Sequence, residues 1–300
     1  MGHLCIDRIS LPNRQRPYVV LGGAVAYVAF SAKRLGSNVS IISKVGGDFP
    51  EAYIWWLSQE GIDVSKVAKI KHEKTTRFEL NYNSDMSNRT MKLAGKAPPI
   101  EAEDLPSSLE AKAIHLAPIA NEIPYEVAEK LAKSAEMLSL DPQGLVRVFD
   151  ENGFVTNKPL KWLDKRILEL VDVYKSSQDE IEAVTGVADL KAAIRAVHDF
   201  SVKTVIVTLG AKGAALSVEG TTYEIPAYTP CNLVDPTGAG DAFIGGFLAE
   251  YVRGKEILWC GCVGSAAAST VVEGVGPTVL GSRDEIYRRA NLLYEKGIKH

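Results

Sequence analysis

Three hundred residues with 46% hydrophobic content can bury one sizeable core, and a net charge of −3, with lysine and arginine spread along the chain, leaves no basic stripe for nucleic acid. Cys5, Cys231, Cys260 and Cys262 form no CxxC pair and sit in or beside apolar runs, while His3, His72, His115, His198 and His300 lack metal-ligand spacing. This argues against a transition-metal site and suits a reducing, cytoplasmic setting.

The first ten residues, MGHLCIDRIS, have neither a basic n-region nor a continuous apolar h-region, so no signal peptide is expected. The uncharged run at 18–32 carries a glycine pair and falls short of the roughly 20 apolar residues a membrane span requires. Strand-like apolar runs follow at 39–45, 113–119, 136–143, 172–177 and 204–210, with helix-like segments at 124–135, 161–170, 179–185 and 188–200. This alternation predicts an α/β sandwich of three layers, a mostly parallel central sheet covered by helices on both faces. Without a repeat, low-complexity tract or linker, residues 1–300 read as one domain.

One region breaks the rhythm. In TTRFELNYNSDMSNRTMKLAGKAPPI (75–100), Phe78, Leu80 and Tyr82 alternate with Arg77, Glu79 and Asn81, and a polar turn at 83–88 leads into a second run. This is the period-2 pattern of a hairpin with one wet face. With the segment near 8–20, the stretch 72–98 is expected to form a small lid sheet. A half-apolar sheet must cover something, either a substrate cleft or the same sheet of a second copy, so a homodimer through the lid is also expected.

NLVDPTGAGDAFIGGFLAEY (232–251) places Thr237, Gly238, Ala239, Gly240 and Asp241 directly before residues with helical apolar spacing. Amides at a helix N-terminus lack intrahelical partners and face a positive dipole, so they hold a phosphate where no side chain keeps it away. Asp241 beside a phosphate makes sense if it takes the proton of an incoming hydroxyl. Capping and turning alone also account for this motif taken by itself, and it is not a Walker A loop.

DPTGAGDAFIGGFLAEY resembles the C-terminal signature of the ribokinase-like (PfkB) sugar kinases, and LGGAVAYVAFSAKRLGSNVSIISKVGGDFPE (21–51) resembles their N-terminal one. VIVTLGAKGAAL (205–216) and KSSQDEIEAVTG (175–186) lie where the family carries related pieces, so the likeness spans nearly the whole chain. The resemblance implies Asp241 as catalytic base and Gly238, Ala239 and Gly240 as an anion hole. It further implies Gly22 and Gly23 as a hinge between lid and core, and Asp7 as an acid binding substrate hydroxyls. Thr208, Gly210, Lys212, Gly213 and Thr237 fall to the nucleotide site, Glu180 to magnesium, and ATP and Mg2+ to the reaction, with Asp235 near where some relatives bind K+.

Three features depart from the family pattern. Tyr27 replaces an Asn found after the glycine pair in ribokinase types, Ser177 replaces the Asn of Asn-x-x-Glu, and the chain starts abruptly at Gly2-His3, which reads as a truncated start. TTRFELNY, RTMKLAGKAPPI, LAPIANEIP and LSLDPQGLVR look most like archaeal and plant-type members that include myo-inositol kinases. Tyr27, Asn81, Arg89 and Gln143 join Asp7 as expected lining of the acceptor site. The reading is an ATP-dependent kinase of a polyol or sugar hydroxyl. A nucleoside kinase is the alternative, favoured if Tyr27 or Phe78 stacks on a base, and a non-catalytic sugar or nucleotide sensor is the other.

Overall fold

The computed structural model describes residues 1–86, 88–159, 165–229 and 232–295. The chain opens with β1 (Cys5–Ser10), β2 (Tyr18–Gly22) and α1 (Ala24–Arg34), then runs through β3 (Ser40–Gly46), α2 (Glu51–Gln59) and β4 (Asp63–Ile70). The hairpin of β5 (Thr76–Tyr82) and β6 (Arg89–Gly95) follows. β1 pairs antiparallel with β2 and parallel with β5, and β5 pairs antiparallel with β6, so the four strands form one sheet ordered β2-β1-β5-β6. Along β5, Thr76, Phe78 and Leu80 are buried and Asn81 is exposed, which is the alternation the sequence shows. β3 and β4 form a separate parallel pair.

The rest of the chain supplies β7 (Ile114–Leu116), α3 (Tyr125–Ala132), β8 (Leu138–Leu140), the short β9 (Arg147–Phe149) and β10 (Val155–Asn157), and β11 (Val173–Ser177). It continues with α4 (Gln178–Thr185), α5 (Leu190–His198), β12 (Thr204–Thr208), β13 (Ala214–Val218), β14 (Thr221–Ile225), α6 (Ala239–Tyr251), α7 (Ile257–Val271) and α8 (Arg283–Glu295). The central sheet has the order β14-β13-β12-β11-β8-β7. It is parallel from β7 to β12 and turns antiparallel at β13 and β14, so it is mixed, with both antiparallel strands at one edge. The helix expected at 161–170 lies partly outside the described residues, and its later part, Arg166–Leu170, is a 3-10 turn.

Neighbouring residues of β12 show why the sheet needs two helical layers. Val205 and Val207 pack with Ile181 and Val184 of α4 and Ile194 and Val197 of α5, whereas Ile206 packs with Phe243, Ile244 and Phe247 of α6. Successive side chains point to opposite faces, so a continuously apolar strand demands cover on both. α6 is buried from Ala242 to Glu250, and Gly245 and Gly246 permit close helix packing: a Cβ at Gly245 would come 2.6 Å from the Val28 carbonyl oxygen of α1. This packing holds the start of α6 at the carboxyl end of the parallel strands, where open α/β sheets bind their ligands.

Candidate active site

Gly238 is the N-cap of α6, with φ 81°, and an added Cβ would lie 2.2 Å from the Tyr27 ring. Backbone conformation and space therefore both require glycine there. Ala239, Gly240 and Asp241 form the first turn of the helix. The Asp241 carboxylate accepts from Gln143 Nε2 at 3.4 Å. Burial pushes its pKa above the usual carboxylate value, against the pull of Lys175, Arg147 and Arg89, so it is a stronger base than an ordinary aspartate.

Beneath the turn lies a buried ion pair. Lys175, in the middle of β11, donates from Nζ to Asp141 Oδ2 at 2.6 Å just past the end of β8, with the two side chains 5% and 1% exposed. A Cβ on Gly240 would come 2.6 Å from that ammonium, so the cation sits directly against the small-residue turn. Burial alone would lower the lysine pKa, but the carboxylates of Asp141, Asp241 and Glu180 outweigh it and keep Lys175 charged.

In front of the turn is a cleft of about 400 Å3, counting its mouth. Asp7, Tyr27, Gln143 and Asp241 line it from the core, and Arg89, Phe78, Leu80 and Met91 from the hairpin. Asp7 is 4% exposed and accepts from the Cys5 thiol at 3.1 Å. Its carboxylate stands over Gly22, where a Cβ would meet Oδ2 at 2.0 Å, so only glycine leaves room for this acid. Burial raises the Asp7 pKa to about 6. The Tyr27 hydroxyl is buried without a hydrogen-bond partner, and burial and nearby acids keep it protonated. The site thus combines a base, a helix N-terminus, a buried acid and an unused phenol donor around one cavity.

The profile of the pfkB family of carbohydrate kinases matches residues 1–282. The chain belongs to this family. A cytidine kinase of Thermococcus kodakarensis is 32% identical over 92% of this chain and 96% of its own length. An inositol 3-kinase of Arabidopsis thaliana is 27% identical over 92% of this chain and 74% of its own. Among solved structures, a pyrophosphate-dependent kinase of the ribokinase family, complexed with a pyrophosphate analog and myo-inositol, superposes with a TM-score of 0.81 at 25% identity, covering 95% of this chain and 98% of that one. The fold is ribokinase-like, and the chain is a sugar or nucleoside kinase, a phosphotransferase with an alcohol group as acceptor.

Within this pfkB-family fold, Asp7, Gly23, Tyr27, Arg89 and Gln143 line the cleft together. Asn81 does not: it is exposed on the face of β5 opposite Phe78 and Leu80, because a strand turns successive side chains to opposite sides. Thr237 lines the same cleft, beside Gly238, and its hydroxyl bonds to the hairpin. Gly22 supports Asp7 from behind. Thr208, Gly210, Lys212 and Gly213 lie where β12 ends and turns into β13, outside this cleft. Glu180 serves a capping box with Ser177 at the start of α4, with Oε2 accepting from the Ser177 amide at 2.7 Å.

Sequence reading missed Arg147, Cys5, Tyr82, Lys175 and Asp141. Arg147 donates to Gln143 Oε1 at 2.6 Å and to the Ile119 carbonyl at 3.2 Å. Its signal was present in DPQGLVR, where Gln143 and Arg147 are four apart and share one face of a helical turn. Lys175 and Asp141 carried no local signal, since only strand pairing brings them together. Among the described residues no group of three or more His, Cys, Asp or Glu is arranged to hold a metal. No described helix is long and apolar enough to cross a membrane.

Proposed function

We propose that this kinase transfers the terminal phosphoryl group of ATP to a hydroxyl of a small cyclic polyol or sugar. The observation that carries this reading is Asp241 at the mouth of the α6 N-terminus, in the same cleft as the buried acid Asp7. Asp7 accepts from one acceptor hydroxyl and orients the ring. Asp241 takes the proton of another, whose oxygen attacks phosphorus while the bond to the ADP oxygen breaks. The 238–240 amides meet the charge of the transferring group, and Lys175 lies behind them.

Bound Mg2+ would offset the charge of the donor phosphates. The chain offers Glu180 for it, whose charge acts on Asp241 and Lys175, and no carboxylate cage among the described residues, as suits a metal held mainly by phosphates. Asp235 suits K+: its Oδ2 is buried without a partner. We also propose a homodimer through the outer face of the lid, where Val19 is 61% exposed, in a cytoplasmic protein with free thiols at Cys5, Cys260 and Cys262. Sedimentation showing a monomer at all concentrations would end the dimer reading.

A nucleoside acceptor is the second reading, supported by the cytidine kinase relative and by Tyr27 and Phe78 in the cleft. The test is product formation across myo-inositol, hexoses, ribose and nucleosides, with ATP or pyrophosphate as donor and Asp241→Asn as blank. One polyol or sugar far above blank supports the first reading, and a nucleoside the second. Silence across the panel from protein that binds ATP and sugar would favour a sensor.

A further inference from the structure

The lid hairpin touches the start of the anion-binding turn through a directed chain of hydrogen bonds. Arg89 NH1 donates to the Tyr82 hydroxyl at 2.7 Å and to Thr237 Oγ1 at 3.0 Å. The Tyr82 and Thr237 oxygens are 2.9 Å apart, and Thr237 Oγ1 lies 2.6 Å from Asp235 Oδ1. A carboxylate only accepts, so the Thr237 proton goes to Asp235, and both remaining lone pairs of Thr237 receive donors, one from Arg89 and one from Tyr82. The hydroxyl is then saturated, and every bond in the chain has a fixed direction.

Both ends are firmly held. Tyr82 and Arg89 are cross-strand partners in the hairpin, so one guanidinium and one phenol act from the same rung. Asp235 is 1% exposed, accepts from the Thr237 amide at 2.9 Å, and its own amide bonds to the Val272 carbonyl at 3.2 Å, just past the end of α7. Arg89 and Asp235, of opposite charge, form no direct ion pair. The Thr237 hydroxyl stands between them, and Tyr82 braces it from the side, so the hydrogen-bonded link from lid to core runs through Thr237.

We propose that Tyr82 and Thr237 are positioning residues that tie closure of the lid to the geometry of the Gly238–Gly240 turn, so that phosphoryl transfer goes to the acceptor and not to water. The idea rests on the kinase reading for its catalytic half only. With the tie made, the hairpin side chains Phe78, Leu80 and Met91 cover the cleft and exclude water from the site where Asp241 activates a hydroxyl. With it broken, the lid opens and the turn loses its anchor to the hairpin.

The test uses Tyr82→Phe, Thr237→Val, the double variant and Thr237→Ser. Two readouts are needed: hydrogen exchange over residues 76–95, and the ratio of ADP released to acceptor phosphorylated. Tyr82→Phe and Thr237→Val are each expected to speed hairpin exchange by about 10-fold, in line with losing a hydrogen bond to a charged group, and to raise ADP release without acceptor while lowering acceptor turnover. Thr237→Ser keeps wild-type values, and the double variant is no worse than the poorer single one, as for members of one network. Wild-type exchange and wild-type ADP-to-product ratio in Tyr82→Phe overturn the proposal. If the wild type phosphorylates no acceptor, the kinase reading has failed, and unchanged exchange would still reject the tie separately.

Discussion

Gln143 Nε2 donates to Asp241 Oδ1 at 3.4 Å while its Oε1 accepts from Arg147 at 2.6 Å. The arginine can only donate, so it fixes which end of the amide faces the base. Asp241→Asn is expected to lower turnover by at least about 100-fold, the scale of losing a general base, with nucleotide binding retained. Gln143→Ala should cost about 10-fold through looser orientation of the same carboxylate. Near-normal turnover in Asp241→Asn, measured against protein of equal ATP affinity, removes it from the mechanism.

Gly238 and Gly240 respond differently to a side chain. Alanine at 238 must adopt φ 81° and meets the Tyr27 ring at 2.2 Å, so Gly238→Ala should lose at least about 2 kcal/mol of stability in denaturant unfolding. At 240 the obstacle is the far end of one side chain, Lys175, 2.6 Å away, rather than an aromatic ring at a positive φ, so less must shift, though its pair with Asp141 would be strained. Gly240→Val should therefore stay folded but raise the apparent KM for ATP, and an unchanged value counts against the anion hole.

Asp7 links activity and stability with opposite signs. Its carboxyl titrates near 6 in the folded chain against 3.8 in an unperturbed one, chiefly because it is buried. Between those values the folded state holds the extra proton, so stability falls as pH rises from about 4 to about 6 and stays lower above, by up to about 3 kcal/mol. Affinity for the acceptor should rise over the same window, as the carboxylate forms. Asp7→Asn is expected to flatten the stability profile while raising acceptor KM at least about 10-fold. Thermal unfolding at pH 4 to 8 and acceptor KM over the same range check both halves.

Tyr27→Phe removes one oxygen from a buried site where it has no partner. Loss of an unsatisfied polar atom should leave stability equal or higher, by about 1 kcal/mol, and the acceptor KM should rise about 5- to 50-fold if the phenol donates to acceptor. A variant less stable than wild type, with unchanged KM, would give Tyr27 a purely structural part.

Much of this arrangement was legible in the residues. The hairpin at 76–95, the helix after Asp241 and the double cover of the sheet follow from periodicity, because each has a period that its environment enforces. Asp7, Tyr27 and Gln143 line one cleft beside them. Asn81 went astray because proximity along β5 does not decide which side of a strand a residue takes. Lys175 and Asp141 were invisible for a different reason: each closes an unremarkable apolar run, and their meeting depends on β8 and β11 lying side by side. Thr237 was read from its place in the motif, while its actual partners, Tyr82 and Arg89, lie about 150 positions away in sequence.

Phe78, Leu80 and Met91 all face the cleft from the two strands of a single hairpin, whereas Asp241, Gln143 and Lys175 stand on the core. This apolar cover of the cleft and these polar groups therefore come from separate parts of the chain. Substitutions at those three positions reshape what the cavity admits while the reacting groups keep their geometry. Such a division makes the protein easy to retune: a new acceptor can be adopted through a few changes of side-chain volume in the hairpin, with the transfer machinery inherited unaltered.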